Sequence, residues 1–309
     1  MMFLAKLFVI VPLVLAFFSF SMELKKVDKN LYMVRGDDGL PSLQNKGFIS
    51  NAFGVLTDKG WIVIDTLTTP ELSKKFLTEL KKIADKPILY AIITHYHLDH
   101  WYGAKTFKDI KAKIIGHENL KKVYNSGEAQ GVLNSQKKIF KGILDSVILV
   151  EPDITVKVNS KKTLRVGEDV FEIYAMPPAH TNTDLVVYWK NRKVLFVGDL
   201  VYKERIPFMG DRNSSSKGWL KVLERLKSFD ALTILGGHNY PMDKSAIDWT
   251  YSYIKFVRET VKRLKDEGYF IDEIKDFFKG NPYEKVKMYK VFHNRNVWKV
   301  YNDLDLELE

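Results

Sequence analysis

Thr94-His95-Tyr96-His97-Leu98-Asp99-His100 is the stretch on which the reading of this chain turns. It directly follows the apolar run 88–93, which is short enough to be a buried strand. Four potential metal ligands therefore sit where a strand gives way to a loop. His95 and His97 are two apart, and in extended backbone an i, i+2 pair points both imidazoles the same way. Such a pair can share one cation, while Asp99 and His100, beyond a bend, can face a second one. Three further residues sit in similar places. His180 closes Pro177-Pro178-Ala179-His180, Asp199 follows the apolar run 194–197 after Gly198, and His238 follows Ile234-Leu235-Gly236-Gly237.

Composition narrows the chemistry. The chain has no cysteine, so disulfides and thiolate metal sites are excluded, and any metal must be held by His, Asp or Glu. Only seven histidines are present, and five of them end or closely follow apolar, strand-like runs. Imidazole nitrogen and carboxylate oxygen suit zinc, at about 2.0–2.2 Å. His95, His97, Asp99, His100, His180, Asp199 and His238 would complete two four-coordinate ions if one carboxylate bridged and water filled the remaining positions. Two ions about 3.5–4 Å apart can bind and deprotonate a water between them at neutral pH. The other two histidines read differently. His117, after the strand-like 112–115, is expected to be structural, and His293, among Asn294, Arg295 and Asn296, is expected at the surface.

Formal net charge is +10, yet the lysines are scattered in ones and twos with acids between them. No run of five basic residues occurs, so a solvated basic surface is expected rather than a nucleic-acid site. Lys203 and Arg205, just past Asp199, are candidates for holding an anionic group of a small-molecule substrate. Residues 205–218 read as a polar surface loop with potential mobility.

The elements alternate. Residues 61–64 form a short apolar strand, and Thr69-Pro70 opens a helix with Thr as N-cap and Pro at the first position. Leu72, Phe76, Leu80 and Ile83 give that helix one apolar stripe. A hairpin is expected from strands 185–189 and 194–197 around Lys190-Asn191-Arg192, so the sheets cannot be purely parallel. Ile247, Tyr251, Ile254, Val257, Val261 and Leu264 mark a helix that opens a C-terminal helical extension from about residue 245. The fold class is α/β, and residues 22–309 read as one domain.

His95-Tyr96-His97-Leu98-Asp99-His100 resembles the H-x-H-x-D-H signature of the metallo-β-lactamase superfamily, and His180, Asp199 and His238 match its later ligand motifs in order. Asp65, in Ile64-Asp65-Thr66, is similar to the family's structural Asp at the end of an early strand. The resemblance implies a four-layer αβ/βα sandwich with the metals at one edge of the two sheets. It also implies His95, His97 and His180 on one ion, Asp99, His100 and His238 on the other, and Asp199 bridging. The spacing from His180 to Asp199 resembles subclass B1 β-lactamases, which carry a cysteine where this chain has Asp199. Asp199 itself follows the glyoxalase II-like ligand set. The N-terminus and the segment 294–309 resemble periplasmic zinc metallohydrolases associated with quinoprotein dehydrogenase systems.

The function expected is zinc-dependent hydrolysis of a small ester, thioester or amide by a metal-bound hydroxide oriented by Asp99. The alternatives are an iron-dependent sulfur dioxygenase of the same superfamily, a β-lactamase, and a non-enzymatic metal-binding accessory protein whose partner the sequence does not name. Residues 1–21 carry one lysine, Lys6, an apolar run, and Ser19-Phe20-Ser21 with small residues at the cleavage-site positions. This is the pattern of a signal peptide. Export, most simply to the periplasm, would leave a mature chain with no membrane span if the segment is cleaved; the alternative is an uncleaved N-terminal anchor. N-terminal sequencing of the protein from its host should begin near Met22, and intact Met1 in a cytosolic fraction would contradict export.

Overall fold

The computed structural model describes residues 22–307; the segment read as a signal peptide lies outside the described residues. The chain opens with β1 (Leu24–Asp28), β2 (Leu31–Val34), β3 (Ala52–Leu56) and β4 (Trp61–Ile64), then α1 (Pro70–Ile83) and β5 (Ile88–Ile92). Next come α2 (Leu98–Trp101), α3 (Ala104–Asp109), β6 (Lys113–His117), α4 (Glu118–Asn125), α5 (Glu128–Ile139) and β7 (Ile154–Val156). The second half holds β8 (Lys161–Val166), β9 (Asp169–Ala175), β10 (Leu185–Trp189), β11 (Val194–Gly198), α6 (Ser216–Lys227) and β12 (Thr233–Gly236). It ends with α7 (Ser245–Asp266), α8 (Ile271–Ile274) and α9 (Tyr289–Leu306). Among the described residues no helix is long and apolar enough to cross a membrane.

Strands β1 to β7 form one sheet in sequence order, antiparallel up to β4 and parallel from there. The second sheet runs β12-β11-β10-β9-β8, with only the β11–β12 pair parallel. The 190–192 turn joins β10 and β11 as an antiparallel hairpin, as its sequence indicates.

Both faces of each sheet are buried, which is why the central strands read as unbroken apolar runs. In β4, Ile62 and Ile64 face the other sheet, while Trp61 and Val63 pack under α1 through Phe76 and Leu80. In β11, Phe196 faces inward while Leu195 and Val197 meet the layer of α6, α7 and α9. Four layers result, helix–sheet–sheet–helix. Helix α1 begins as predicted, with Thr69 accepting from the Leu72 amide and Pro70 in the first turn. Ile83, the last residue of its predicted stripe, is instead exposed.

The parallel strands β4, β5 and β6 end on one side of the first sheet, and β9, β11 and β12 end together in the second. A bond from the Leu185 amide to Thr94 O, 2.7 Å, ties the two sheets at that edge. Phe196 stands edge-on to Phe53 across the sandwich, with ring centroids 5.3 Å apart, and both rings are fully buried. Replacing Phe196 with Ala should cost about 3–5 kcal/mol through the cavity it leaves. Urea unfolding measures it, and a cost below about 1 kcal/mol would contradict this packing.

Candidate metal centre

All seven predicted residues converge at this edge. The side-chain atoms of His95, His97, His180 and Asp199 form one group, and those of Asp99, His100 and His238 a second, each able to hold a metal ion. His97 Nδ1 lies 3.1 Å from His95 Nε2 and 3.0 Å from His180 Nε2. In the second group His100 Nε2 is 3.3 Å from Asp99 Oδ2, and His238 Nε2 is 3.6 Å from the same oxygen. Ligand atoms at zinc's usual distances on a tetrahedron stand about 3.3–3.4 Å from one another. Asp199 lies between the groups. Its Oδ1 is 3.4 Å from His100 Nε2, and its Oδ2 is 3.7 Å from His180 Nε2 and 3.2 Å from His238 Nε2.

The outer nitrogens decide what the inner ones can do. His180 Nδ1 donates to Phe208 O at 3.0 Å, and His238 Nδ1 donates to Ile49 O at 2.8 Å. A carbonyl oxygen only accepts, so each of these imidazoles must carry its proton on Nδ1. His97 Nε2 pairs with Asp211 at 3.0 Å, and His100 Nδ1 with Asp65 at 2.8 Å. Thr94 Oγ1 gives its own proton to Asp65, 2.8 Å away, and so receives one from His95 Nδ1 at 3.1 Å. With the outer protons so placed, the inner nitrogen of each neutral imidazole turns a lone pair into one buried space shared with two carboxylates. Among the described residues His100 Nε2 and Asp199 Oδ1 are buried with no hydrogen-bond partner. A cation is what such a set fits, and outer carboxylate and carbonyl partners are the usual means of orienting histidine ligands.

Charge follows burial. Desolvation, with the neighbouring imidazoles, holds His95 far below the ordinary imidazole range and His180 down to about 3. Burial works against charge on His100 too, but Asp99, Asp199 and Asp65 outweigh it and raise its pKa. Burial would likewise raise Asp99, yet His100 and then His238 hold that carboxyl down to about 2.

Close approach shapes the backbone here. A Cβ on Gly237 would stand 2.2 Å from Asp199 Oδ1 and 2.4 Å from His100 Cε1, so only glycine fits between the groups. Asn51 holds this turn, donating from Nδ2 to Gly236 O and Asn239 O, while its amide donates to Gly237 O. Asp65 sits at the end of β4 with φ 62°, a left-handed value that aspartate tolerates better than most residues. It accepts from the Thr94 amide as well as from Thr94 Oγ1 and His100.

Several expectations are corrected. His293 is 1% exposed, within bonding reach of the Tyr253 hydroxyl at 3.1 Å and stacked on Tyr289, because α9 folds back onto α7. Residues 205–215 are no mobile surface loop: Ile206, Met209 and Ser214 are buried in it, and α6 starts at Ser216. Arg205 is buried and donates to Asp38 O, and Lys203 donates to Ser245 Oγ; neither contact points to a substrate anion. His117 is structural, its Nδ1 accepting from Asn119 at the start of α4 and its Nε2 reaching Met176 O. The sequence reading passed over Asp211, Asn51 and Tyr202. Tyr202, buried and stacked on His238 at 6.0 Å, stands three residues past Asp199, a spacing that offered the one available hint.

A family model described as the metallo-beta-lactamase superfamily matches residues 45–238, more than half of the chain. The chain belongs to the metallo-beta-lactamase superfamily. A metallo-beta-lactamase type 2 of Elizabethkingia meningoseptica is 24% identical over 247 residues, covering 78% of this chain and 88% of that protein. A linear primary-alkylsulfatase of Pseudomonas sp. is 21% identical over 271 residues, covering 73% of this chain and 49% of its own length. Among solved structures, a metallo-beta-lactamase from Pontibacter korlensis aligns with TM-score 0.60 at 21% identity, over 76% of this chain and 99% of that one. A stereoselective inverting sec-alkylsulfatase from Pseudomonas sp. aligns with TM-score 0.75 at 19% identity, over 91% of this chain and 50% of that one. The chain thus spans about half the length of the alkylsulfatases it matches. The beta-lactamase and the alkylsulfatase among these relatives are hydrolases, and this chain is a metal-dependent hydrolase of the same superfamily.

Gly237→Ala should leave the circular dichroism spectrum unchanged while weakening metal uptake about 10–100-fold, the range for displaced ligand surroundings. Uptake as tight as in the wild type would contradict the geometry between the two groups.

Proposed function

We propose that this superfamily hydrolase holds two zinc ions per chain and cleaves a small ester, thioester or amide. The observation that carries the proposal is the set of five inward-facing imidazole nitrogens, divided into two groups with Asp199 between them. His95, His97 and His180 would hold one ion, Asp99, His100 and His238 the other, and Asp199 would bridge. Zinc in these positions would lower the pKa of a bound water toward neutrality and polarise the bond to be cleaved.

The protein's own groups do the remaining work. Asp99, ionised and tied through its backbone oxygen to Ser50 Oγ, offers a fixed carboxylate to orient the attacking water. Asp65, Asp211, Ile49 O and Phe208 O pair with the outer nitrogens and aim the inner nitrogens of four imidazoles toward the centre. No side-chain nucleophile is needed: the chain has no cysteine and no G-x-S-x-G elbow, so no acyl-enzyme should form. A sulfate ester is the second substrate class. It is favoured by the sequence likeness to the linear primary-alkylsulfatase, 21% identical over 271 residues. Export through residues 1–21, and a place beside a periplasmic quinoprotein dehydrogenase system, complete the proposal on the sequence pattern alone.

Metal analysis of protein purified without added metal should find two zinc ions; a single tightly bound iron with no second site would favour the dioxygenase reading. Asp199→Ala should lower occupancy of both ions, and His238→Ala mainly one. Hydrolysis of an ester, thioester, β-lactam and sulfate-ester panel should stop on chelation and return with zinc. Asp99→Asn should lower kcat by about 10²–10⁴-fold, the usual scale for a lost acid–base group. Intact mass during turnover should show no adduct, and full activity in metal-free protein would overturn the mechanism.

A further inference from the structure

Two imidazoles of the first group take their aim from one irregular segment. Phe208 O accepts from His180, and Asp211 accepts from His97 and, at 2.6 Å, from the Tyr96 hydroxyl. Residues 207–215 contain no helix or strand, so something outside must hold their backbone in place. Helix α9 does so with a buried polar face. Asn296 Oδ1 accepts from the Met209 amide and its Nδ2 donates to Pro207 O, both at 2.8 Å. Lys299 Nζ donates to Ser214 O at 2.8 Å and pairs with Asp303. Asp303 in turn accepts from the Ser216 hydroxyl at 2.9 Å and its amide at 3.2 Å. Arg295 reaches Gly210 O at 3.3 Å from the helix flank.

Residues 296, 299 and 303 share one helical face by their spacing. Asn296 is fully buried, and Lys299 and Asp303 are 8% and 7% exposed. Burying a Lys–Asp pair is costly, and a hydrophobic pair of similar size would stabilise the helix contact at least as well. What the polar face gains is a fixed position for Pro207 O, the Met209 amide and Ser214 O, on either side of Phe208 and Asp211. Val297, Val300 and Leu304 anchor the same helix in the apolar layer with Val257 and Val261 of α7. The second group owes nothing to this segment. His100 is aimed by Asp65, His238 by Ile49 O, and Asp99 is tied to Ser50. Helix α9 also lies beyond residues 45–238, the part matched by the family model.

We propose that α9 is a positioning clamp for one metal site only: Asn296, Lys299 and Asp303 hold residues 207–216 so that Phe208 O and Asp211 aim His180 and His97. The inference rests on the reading of the two groups as metal sites. It assigns the C-terminal helix a role in the affinity of the first site and none in that of the second.

The test is zinc titration of the metal-free full chain against a chromophoric chelator, for wild type, Asn296→Ala, Lys299→Met, Lys299→Arg and Trp298→Ala. Trp298 is on α9 but 56% exposed. Asn296→Ala and Lys299→Met should weaken one equivalent about 10–100-fold, the effect of disturbing a ligand's outer partner. The other equivalent should stay within about twofold of wild type on the same scale. The lost equivalent should be the one missing from His180→Ala, not from His238→Ala. Lys299→Arg should restore it, and Trp298→Ala should leave both unchanged. Equal weakening of both equivalents, or no change in either, overturns the clamp while the metal reading stands. If both Asn296→Ala and Lys299→Met fail to fold, α9 serves global stability and the clamp is also overturned. A wild-type chain that takes up no zinc refutes the metal reading itself, and the clamp with it.

Discussion

One buried carboxylate holds the architecture and the chemistry together. Asp65, at the tip of β4, takes hydrogen bonds from the Thr94 amide, the Thr94 hydroxyl and His100 Nδ1. Those three donors span the end of β5 and the start of α2, so the loop with four potential ligands hangs from a single acid. Burial pushes Asp65 upward in pKa, and the charge of His100 is the largest influence against it. By taking the Thr94 proton, Asp65 also turns Thr94 Oγ1 into an acceptor for His95. A side chain that ligates nothing thus sets the proton positions of two imidazoles.

The same constraint recurs around the centre. Inward-facing lone pairs repel, and they coexist only because each imidazole has an acceptor behind it and a cation is the natural occupant in front. The two sheets supply those acceptors from different places. The first sheet gives Asp65, the turn before β3 gives Ile49 O, and the segment before α6 gives Phe208 O and Asp211. A family model that ends at residue 238 covers these acceptors but not α9, which anchors the last two of them. The fold class is shared with lactamases and alkylsulfatases alike, so it cannot name a substrate. The chemistry has to be argued from the site.

The sequence shows the ligands and hides their support, for a physical reason. His95, His97, Asp99 and His100 stand out because they are adjacent and follow a buried strand. His180, Asp199 and His238 stand out because each follows an apolar run. The strands β4, β5, β10 and β11 are legible because both their faces are buried, which leaves continuous apolar stretches. Asp211 is invisible: it sits among Arg212, Asn213 and Ser214, a composition that reads as solvated loop. Helix α9 misleads in the same way. His293, Asn296, Lys299 and Asp303 are polar and buried, so the apolar stripe that marks a packed helix is diluted and His293 reads as surface. Hydropathy reports where water is excluded by apolar atoms. It says nothing of polar groups satisfied by distant backbone.

Anomalous diffraction from crystals of the protein grown without added metal, with data collected across the zinc and iron absorption edges, tests the central claim most directly. The account predicts two peaks that appear at the zinc edge. One should lie within about 2.0–2.2 Å of His95 Nε2, His97 Nδ1 and His180 Nε2, and the other at similar distances from Asp99, His100 and His238. Asp199 should reach both. A single peak that appears only at the iron edge, or imidazoles rotated away from Asp65, Asp211, Ile49 O and Phe208 O, would contradict it.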